Sequence, residues 1–279
     1  MGVMGYPIAH SLSPAMFNAA FTHLGMDWVY LAFAVRPERL ADALRGIRSL
    51  GLIGVNVTVP LKEMVVDLVE QLTPEARAIG AVNCLCCRGD VMLGHNTDGT
   101  GFLASLREEG RFEPGGRRVL LLGAGGAARA IALTLGQQGI ARLDIANRTR
   151  ERAERLAEEV SGKTGAAVRG LGLNDPDLRR LTAEAELIIQ ASSVGMHCED
   201  RVPDWFNPEW LLPGTLFADI IYRPRPTAWM REAAARGCRV LDGVGMLVRQ
   251  GAQAFTWWTG MEAPLEVMRA AVLEQLGEK

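Results

Sequence analysis

Residues 119–128 read VLLLGAGGAA. The stretch opens as an apolar, β-type run from Val119 to Leu122, breaks into glycines and continues as an alanine-rich helical sequence. Gly123, Gly125 and Ala128 fit G-x-G-x-x-G/A in the strand-turn-helix context that the pattern requires. The first glycine makes the tight turn, and the second lets the backbone approach a pyrophosphate. The small third residue lets helix and strand pack closely, and the helix N-terminus faces the phosphates. The cradle so defined is Gly123, Ala124, Gly125, Gly126 and Ala127. A plain β-α turn is the ordinary alternative, and the matching context outweighs it.

Working outward, the next strand decides between nicotinamide cofactors. An NAD enzyme usually places Asp or Glu about twenty residues on, at the ribose hydroxyls. Here the strand Leu143 to Ala146 ends in Asn147, Arg148 and Thr149, with Arg150 and Arg152 close behind. Guanidinium groups in place of an acid suit a 2′-phosphate, so NADP is the expected cofactor. Solvated arginines at a helix start are the bland alternative, but cations there oppose the helix dipole.

The first half of the chain holds a different signal. Residues 53–62, IGVNVTVPLK, form a strand with polar Asn56 and Thr58, stopped by Pro60 and followed by Lys62. A helix is expected from about 61 to 72, with Lys62 in its first turn, where a lysine gains nothing from the dipole. A lysine near a cofactor can act as a general acid/base. Asp98, in HNTDG, falls where one α/β unit hands over to the next, and can orient an ammonium and a substrate hydroxyl together. A surface lysine and a helix N-cap are the ordinary fates of these two residues. Ser11 and Ser13 precede Pro14, which opens a helix; they offer hydroxyls and amides to an anion, or cap that helix. Cofactor cradle and polar strand tip together point to an NAD(P)-dependent redox enzyme acting on a small polar substrate.

Strands at 29–35, 54–59, 81–86 and 91–94 alternate with helices in the first half and imply a largely parallel sheet. Beyond the connector RFEPGGRR (111–118), three β-α repeats follow, then strands at 215–222 and 238–243 and helical sequence from about 245 to 276. The expected fold is α/β in two domains: a substrate domain (1–99), a Rossmann-like NADP-binding domain (100–242), and C-terminal helices (243–279) returning to the first.

Composition sets the outer bounds. The chain has 279 residues, enough for two cores, with 48% hydrophobic and 22% charged residues. A formal charge of −2 and a pI near 6.1 offer no basic surface to nucleic acid. No export signal or membrane span is apparent, and five cysteines suit a reduced, cytoplasmic setting. Cys84 and Cys87 form C-x-x-C, but no second pair completes a metal site, and the strand VNCLCC accounts for them as small apolar residues. No metal is expected. His10, His23, His95 and His197 are scattered and receive no role.

The motifs PIAHSLSP (7–14), GVNVTVPLKE (54–63), GAVN (80–83), NTDG (96–99), GAGGAA (123–128), NRT (147–149) and DGVGMLVRQGAQAF (242–255) resemble the shikimate dehydrogenase family, in its order and over nearly the whole chain. The resemblance implies reversible reduction of 3-dehydroshikimate to shikimate by NADPH in aromatic amino-acid biosynthesis. It implies Lys62 and Asp98 as the catalytic pair, and Ser11 and Ser13 at the substrate carboxylate. Thr58, Asn83, Asp98 and Gln250 would bind the ring hydroxyls. Tyr222 would border the substrate, and Ile220 and Gly243 would line the nicotinamide pocket. The partner implied is a small molecule, acted on by a monomer or homodimer. The chain departs from the family pattern at Tyr6, Cys84, QASSVGM (190–196) and Arg223. A quinate or dual quinate/shikimate dehydrogenase and a non-catalytic ligand sensor on the same fold are the competing readings. A sensor has no need of the Lys62–Asp98 pair, and a folate-linked dehydrogenase fits HSLSP and NTDG poorly.

Overall fold

The computed structural model describes residues 1–196 and 201–278; His197 and Cys198 lie outside them. The strands are β1 (Gly2–Gly5), β2 (Leu31–Ala34), β3 (Gly54–Val57), β4 (Gln71–Leu72), β5 (Cys84–Arg88), β6 (Val91–His95), β7 (Arg118–Leu122), β8 (Arg142–Asn147), β9 (Val168–Gly172), β10 (Leu187–Gln190), β11 (Leu216–Asp219) and β12 (Arg239–Leu241). The helices are α1 (Ser13–His23), α2 (Leu40–Ser49), α3 (Pro74–Ile79), α4 (Asp98–Glu108), α5 (Gly126–Gly136), α6 (Arg150–Thr164), α7 (Leu178–Glu184), α8 (Ala228–Ala235), α9 (Gly243–Thr259) and α10 (Leu265–Gln275). The chain divides into two compact units, Met1–Gly101 with Val248–Lys279, and Phe102–Leu247. The divisions fall inside α4 and α9.

The first unit is built on a six-stranded sheet of order β2-β1-β3-β5-β6-β4. It is mixed: β5 runs antiparallel to both β3 and β6, so the expected largely parallel sheet holds only in part. The turn Arg88-Gly89-Asp90 makes β5–β6 a hairpin, with Gly89 at φ +59. Val55 and Val57 alternate onto one face with Leu40, Leu44 and Ile47 of α2. The opposite face is aromatic. Phe17 of α1 stacks on Tyr30 with centroids 4.3 Å apart, Trp258 of α9 tilts against Phe17 at 5.5 Å, and α10 packs on α1.

The helix expected over 61–72 is absent. Turns lead from Val59 to a 3-10 turn at Val66–Leu68, then to β4. The cause is a contact with a distant segment: the Lys62 carbonyl accepts from Val82 N at 2.8 Å, so it is not given to an amide four residues on. Lys62 therefore stands on a turn braced across the sheet, and the helix-dipole argument for it falls away. The helical sequence expected from about 245 to 276 forms two helices, α9 and α10, separated at Gly260 (φ +71).

The second unit carries an all-parallel sheet of order β12-β11-β10-β7-β8-β9, the doubly wound order with its switch point beside β7. Along β7, Val119 and Leu121 enter one core while Leu120 and Leu122 enter the other, so both faces are covered. Strand β9, VRGLG, is an element that the sequence reading passed over.

Candidate active site

In the first unit the site grows from three strand ends and one helix. Lys62 Nζ donates to Asp98 Oδ2 at 2.6 Å, and Asn83 Nδ2 donates to Asp98 Oδ1 at 2.9 Å. The Lys62 and Asp98 side chains are 13% and 5% exposed, which removes the surface-lysine account. Asn83 Oδ1 accepts from Thr97 N at 2.8 Å, and Asn83 Nδ2 also reaches Gln250 Oε1 of α9 at 3.2 Å. Thr97 Oγ1 donates to the Gln250 carbonyl at 3.0 Å. Asp98 is the first residue of α4, but its amide is served by Asn96 Oδ1 at 3.0 Å, which leaves its carboxylate to Lys62 and Asn83. A carboxylate has lone pairs beyond these two contacts for a substrate hydroxyl.

Two buried residues outside the expected set hold this cluster from behind. Tyr30 Oη donates to Asn56 Oδ1 at 2.6 Å, and Asn56 Nδ2 donates to the Asn83 carbonyl at 3.0 Å. Burial pushes the Tyr30 hydroxyl well above its usual pKa, with the Cys84 thiol adding to the rise and Ser13 opposing it. Asn56, a polar residue inside an apolar strand, was a legible signal; Tyr30 was not.

Ser11 is half-buried and Ser13 buried. Neither caps α1: its N-cap is Leu12, without a side-chain bond, and Ser11 Oγ accepts from Ser13 N at 3.3 Å. Thr58 is half-buried at the end of β3. Cys84 and Cys86 are buried, and the residues Cys84 and Cys87 fall on opposite sides of β5 by its two-residue period. Among the described residues no group of His, Cys, Asp or Glu could hold a metal.

In the second unit, α5 starts at Gly126 with Gly125 as an N-cap that has no side-chain bond. A Cβ on Gly125 would project into open space before the helix N-terminus, and a Cβ on Gly123 (φ +122) would meet the Ala191 carbonyl at 2.9 Å. The uncovered backbone and uncapped amides form a cradle that fits a pyrophosphate. At the tip of β8, Asn147 Nδ2 donates to the Thr149 carbonyl at 2.9 Å. The arginines separate in role. Arg150 pairs with Glu154 at 2.7 Å, and Arg152 reaches back to the Ala124 carbonyl at 3.3 Å. Arg148 is exposed and makes no ion pair among the described residues. The strand's own acid, Asp144, is buried and paired with Arg142 at 2.7 Å, away from the tip.

After β11, Ile220 and Tyr222 are half-buried, and Gly243 is buried as the first residue of α9. The loop carrying Ile220 and Tyr222 is held by Asp219: Ile221 N donates to Oδ1 at 3.0 Å, and Thr227 Oγ1 donates to Oδ2 at 2.7 Å. Burial pushes the Asp219 carboxyl up to about 7 from 3.8. The neutral form is thus favoured by folding. Its stabilisation is complete below about pH 4 and is lost as pH rises through 7, at up to roughly 1.4 kcal/mol per pH unit. Denaturant titrations between pH 4 and 7 should show that fall in the parent and a flatter profile in Asp219→Asn. Parallel profiles would place the titration elsewhere.

A glycine-rich strand-turn-helix that fits a diphosphate on a doubly wound sheet, with a buried lysine–carboxylate pair in a separate α/β unit, defines a nicotinamide-dependent dehydrogenase. Residues 3–85 match the model of the shikimate dehydrogenase substrate binding domain, 108–198 that of shikimate/quinate 5-dehydrogenase, and 243–273 that of the shikimate 5'-dehydrogenase C-terminal domain. A shikimate dehydrogenase (NADP(+)) of Methanopyrus kandleri is 48% identical over 276 residues, covering 99% of this chain and 95% of that one. The crystal structure of shikimate 5-dehydrogenase from Thermus thermophilus with NADP(H) and shikimate is 37% identical, with a TM-score of 0.86 over 98% of both chains. A quinate dehydrogenase from Corynebacterium glutamicum in complex with NAD is 29% identical, with a TM-score of 0.88 and 98% coverage of each chain. This chain belongs to the shikimate dehydrogenase family, and it is an NADP-dependent oxidoreductase.

Proposed function

We infer that the chain catalyses the reversible reduction of 3-dehydroshikimate to shikimate with NADPH, in aromatic amino-acid biosynthesis. The observation that carries the reading is the buried Lys62–Asp98 pair tied to Asn83 and, through it, to Gln250. NADPH supplies the hydride when bound, held by Gly123 to Ala127 at its diphosphate and by Arg148 at its 2′-phosphate. Residues 1–99 take the substrate and 100–242 the cofactor, while 243–279 bring Gln250 to the substrate.

On the substrate side, Ser11 and Ser13 bind the carboxylate, and Thr58, Asn83, Asp98 and Gln250 bind the ring oxygens. Lys62 Nζ donates a proton to the ketone oxygen as that oxygen gains charge, and recovers one in the oxidative direction. Asp98 holds the ammonium in place and accepts from the neighbouring hydroxyl. Tyr222 borders the substrate, and Ile220 and Gly243 line the nicotinamide side. No helix among the described residues is long and apolar enough to cross a membrane. The four described cysteines are free, which suits a reducing cytoplasm. Monomer and homodimer both agree with the reading.

Following reduced nicotinamide by absorbance, with shikimate or quinate offered each with NADP or NAD, tests it. The shikimate–NADP pair should turn over fastest; turnover with quinate alone, or with neither acid, would overturn the assignment.

Ser13 gives a narrower check. A neutral donor contributes about 0.5–1.5 kcal/mol, and one bonded to a charged carboxylate up to roughly 3. Ser13→Ala should weaken shikimate binding several-fold or more and leave NADP affinity unchanged. A shikimate carboxamide should bind poorly to the parent and lose little more with the variant. Equal discrimination of acid from amide by parent and variant would move the carboxylate away from Ser13.

A further inference from the structure

Gln190 is the last residue of β10 and is fully buried, between Leu122 of β7 and Asp219 of β11 in register. Both ends of its amide turn forward into the segment that follows. Gln190 Oε1 accepts from Ser192 N and Ser192 Oγ, each at 2.9 Å. Gln190 Nε2 donates to the Val194 carbonyl at 2.7 Å, and Val194 N closes the loop on Ser192 Oγ at 3.2 Å. One side chain therefore sets the path of residues 191–194. That path runs against the cradle: a Cβ on Gly123 would lie 2.9 Å from the Ala191 carbonyl carbon and 3.0 Å from Ser192 N. The 191–194 loop is the neighbour that fixes where the first glycine of the turn can sit.

We propose that Gln190 is a positioning residue of the dinucleotide site. It braces the 191–194 loop against Gly123, so that the glycine-rich turn is held in the form that receives the diphosphate before any cofactor arrives. The proposal rests on the reading of 123–127 as the NADP cradle, and it concerns binding rather than chemistry. Preorganisation of this kind appears in affinity, because a loose turn must be ordered at the cost of binding free energy.

Gln190→Glu keeps the shape and both acceptor contacts to Ser192, but it sets a carboxylate oxygen against the Val194 carbonyl in place of a donor. NADPH affinity, read by titration of the nicotinamide fluorescence without substrate, should weaken about tenfold or more. Shikimate affinity for the cofactor-free protein, read by calorimetry, should stay within about twofold, since its site lies in the other unit. Gln190→Asn is the rescuing variant. Its shorter amide can still accept from the amide two residues on as an Asx-turn, so it should recover most of the lost NADPH affinity. Parent-like NADPH binding by Gln190→Glu would overturn the proposal. So would equal losses for NADPH and shikimate accompanied by a lowered melting temperature, which would mean a general loosening of the fold. A parent protein that binds NADPH and fails to oxidise shikimate would overturn the reaction assigned above and leave the role of Gln190 standing.

Discussion

Lys62→Ala should lower kcat by roughly 10²–10⁴-fold, the usual worth of a positioned acid or base, while KM for shikimate changes far less. The expectation follows from burial and pairing. Lys62 is the ammonium bonded to Asp98 Oδ2 at 2.6 Å, and nearly all of the Asp98 side chain is withdrawn from water. Removing the lysine takes away the proton donor and leaves a buried carboxylate without its cation. That second effect carries a stability cost of its own, on the order of 3–5 kcal/mol for a fully buried pair and less at this residual exposure. Lys62→Met keeps the stem and separates the two effects, as a melting curve and a shikimate titration on each variant will show. Folded variants that bind shikimate and turn over at near-parent rates would remove Lys62 from the reaction.

The second large effect should come from Arg148→Ala, which should raise KM for NADP by about 10–150-fold, equivalent to roughly 1.5–3 kcal/mol for a charge-assisted contact. KM for NAD should hardly move, because NAD brings no 2′-phosphate to that position. Of the three arginines around the β8 tip, Arg150 is paired with Glu154 and Arg152 spends one contact on the Ala124 carbonyl, while Arg148 has its whole fork to offer. An equal rise for both cofactors would mean that Arg148 serves the shared diphosphate instead.

The sequence was most legible where function forces a local pattern. A tight glycine turn between strand and helix is written into contiguous residues, so 119–128 announces itself. A lysine just past a proline-stopped strand is a similar signal, and the structure places Lys62 beside Asp98. What escaped reading depends on contacts between distant segments. The helix expected after Leu61 failed because the Lys62 carbonyl is claimed by Val82, twenty residues on, which no local propensity reports. Tyr30 reads as an ordinary core aromatic, and its hydroxyl gains meaning only once Asn56 is known to face it. β9 was missed because its glycines dilute the strand signal; at Gly170 the backbone of α6 comes so close that a Cβ would lie 2.4 Å from the Ala153 carbonyl carbon. The serines at 11 and 13 looked like caps, yet the helix begins with Leu12 in the N-cap position, and only Ser11 Oγ meets a helix amide, that of Ser13 at 3.3 Å.

The first unit is assembled from two pieces of chain separated by the whole of the second. Asn83 and Gln250, bonded at 3.2 Å, are 167 positions apart, and Trp258 Nε1 bonds the Leu85 carbonyl at 2.8 Å across 173. On a ribosome this imposes an order of events. Residues 102–247 form a contiguous unit that can close as soon as it emerges, whereas residues 1–101 must wait with Phe17, Phe21 and Tyr30 uncovered until α9 and α10 arrive. The nascent chain thus carries an open aromatic sheet face for the time needed to translate the rest, which is the interval in which a chaperone would engage it. A gene truncated before α9 would leave that face permanently bare, and aggregation, rather than a half-active fragment, is the outcome that such a chain should give.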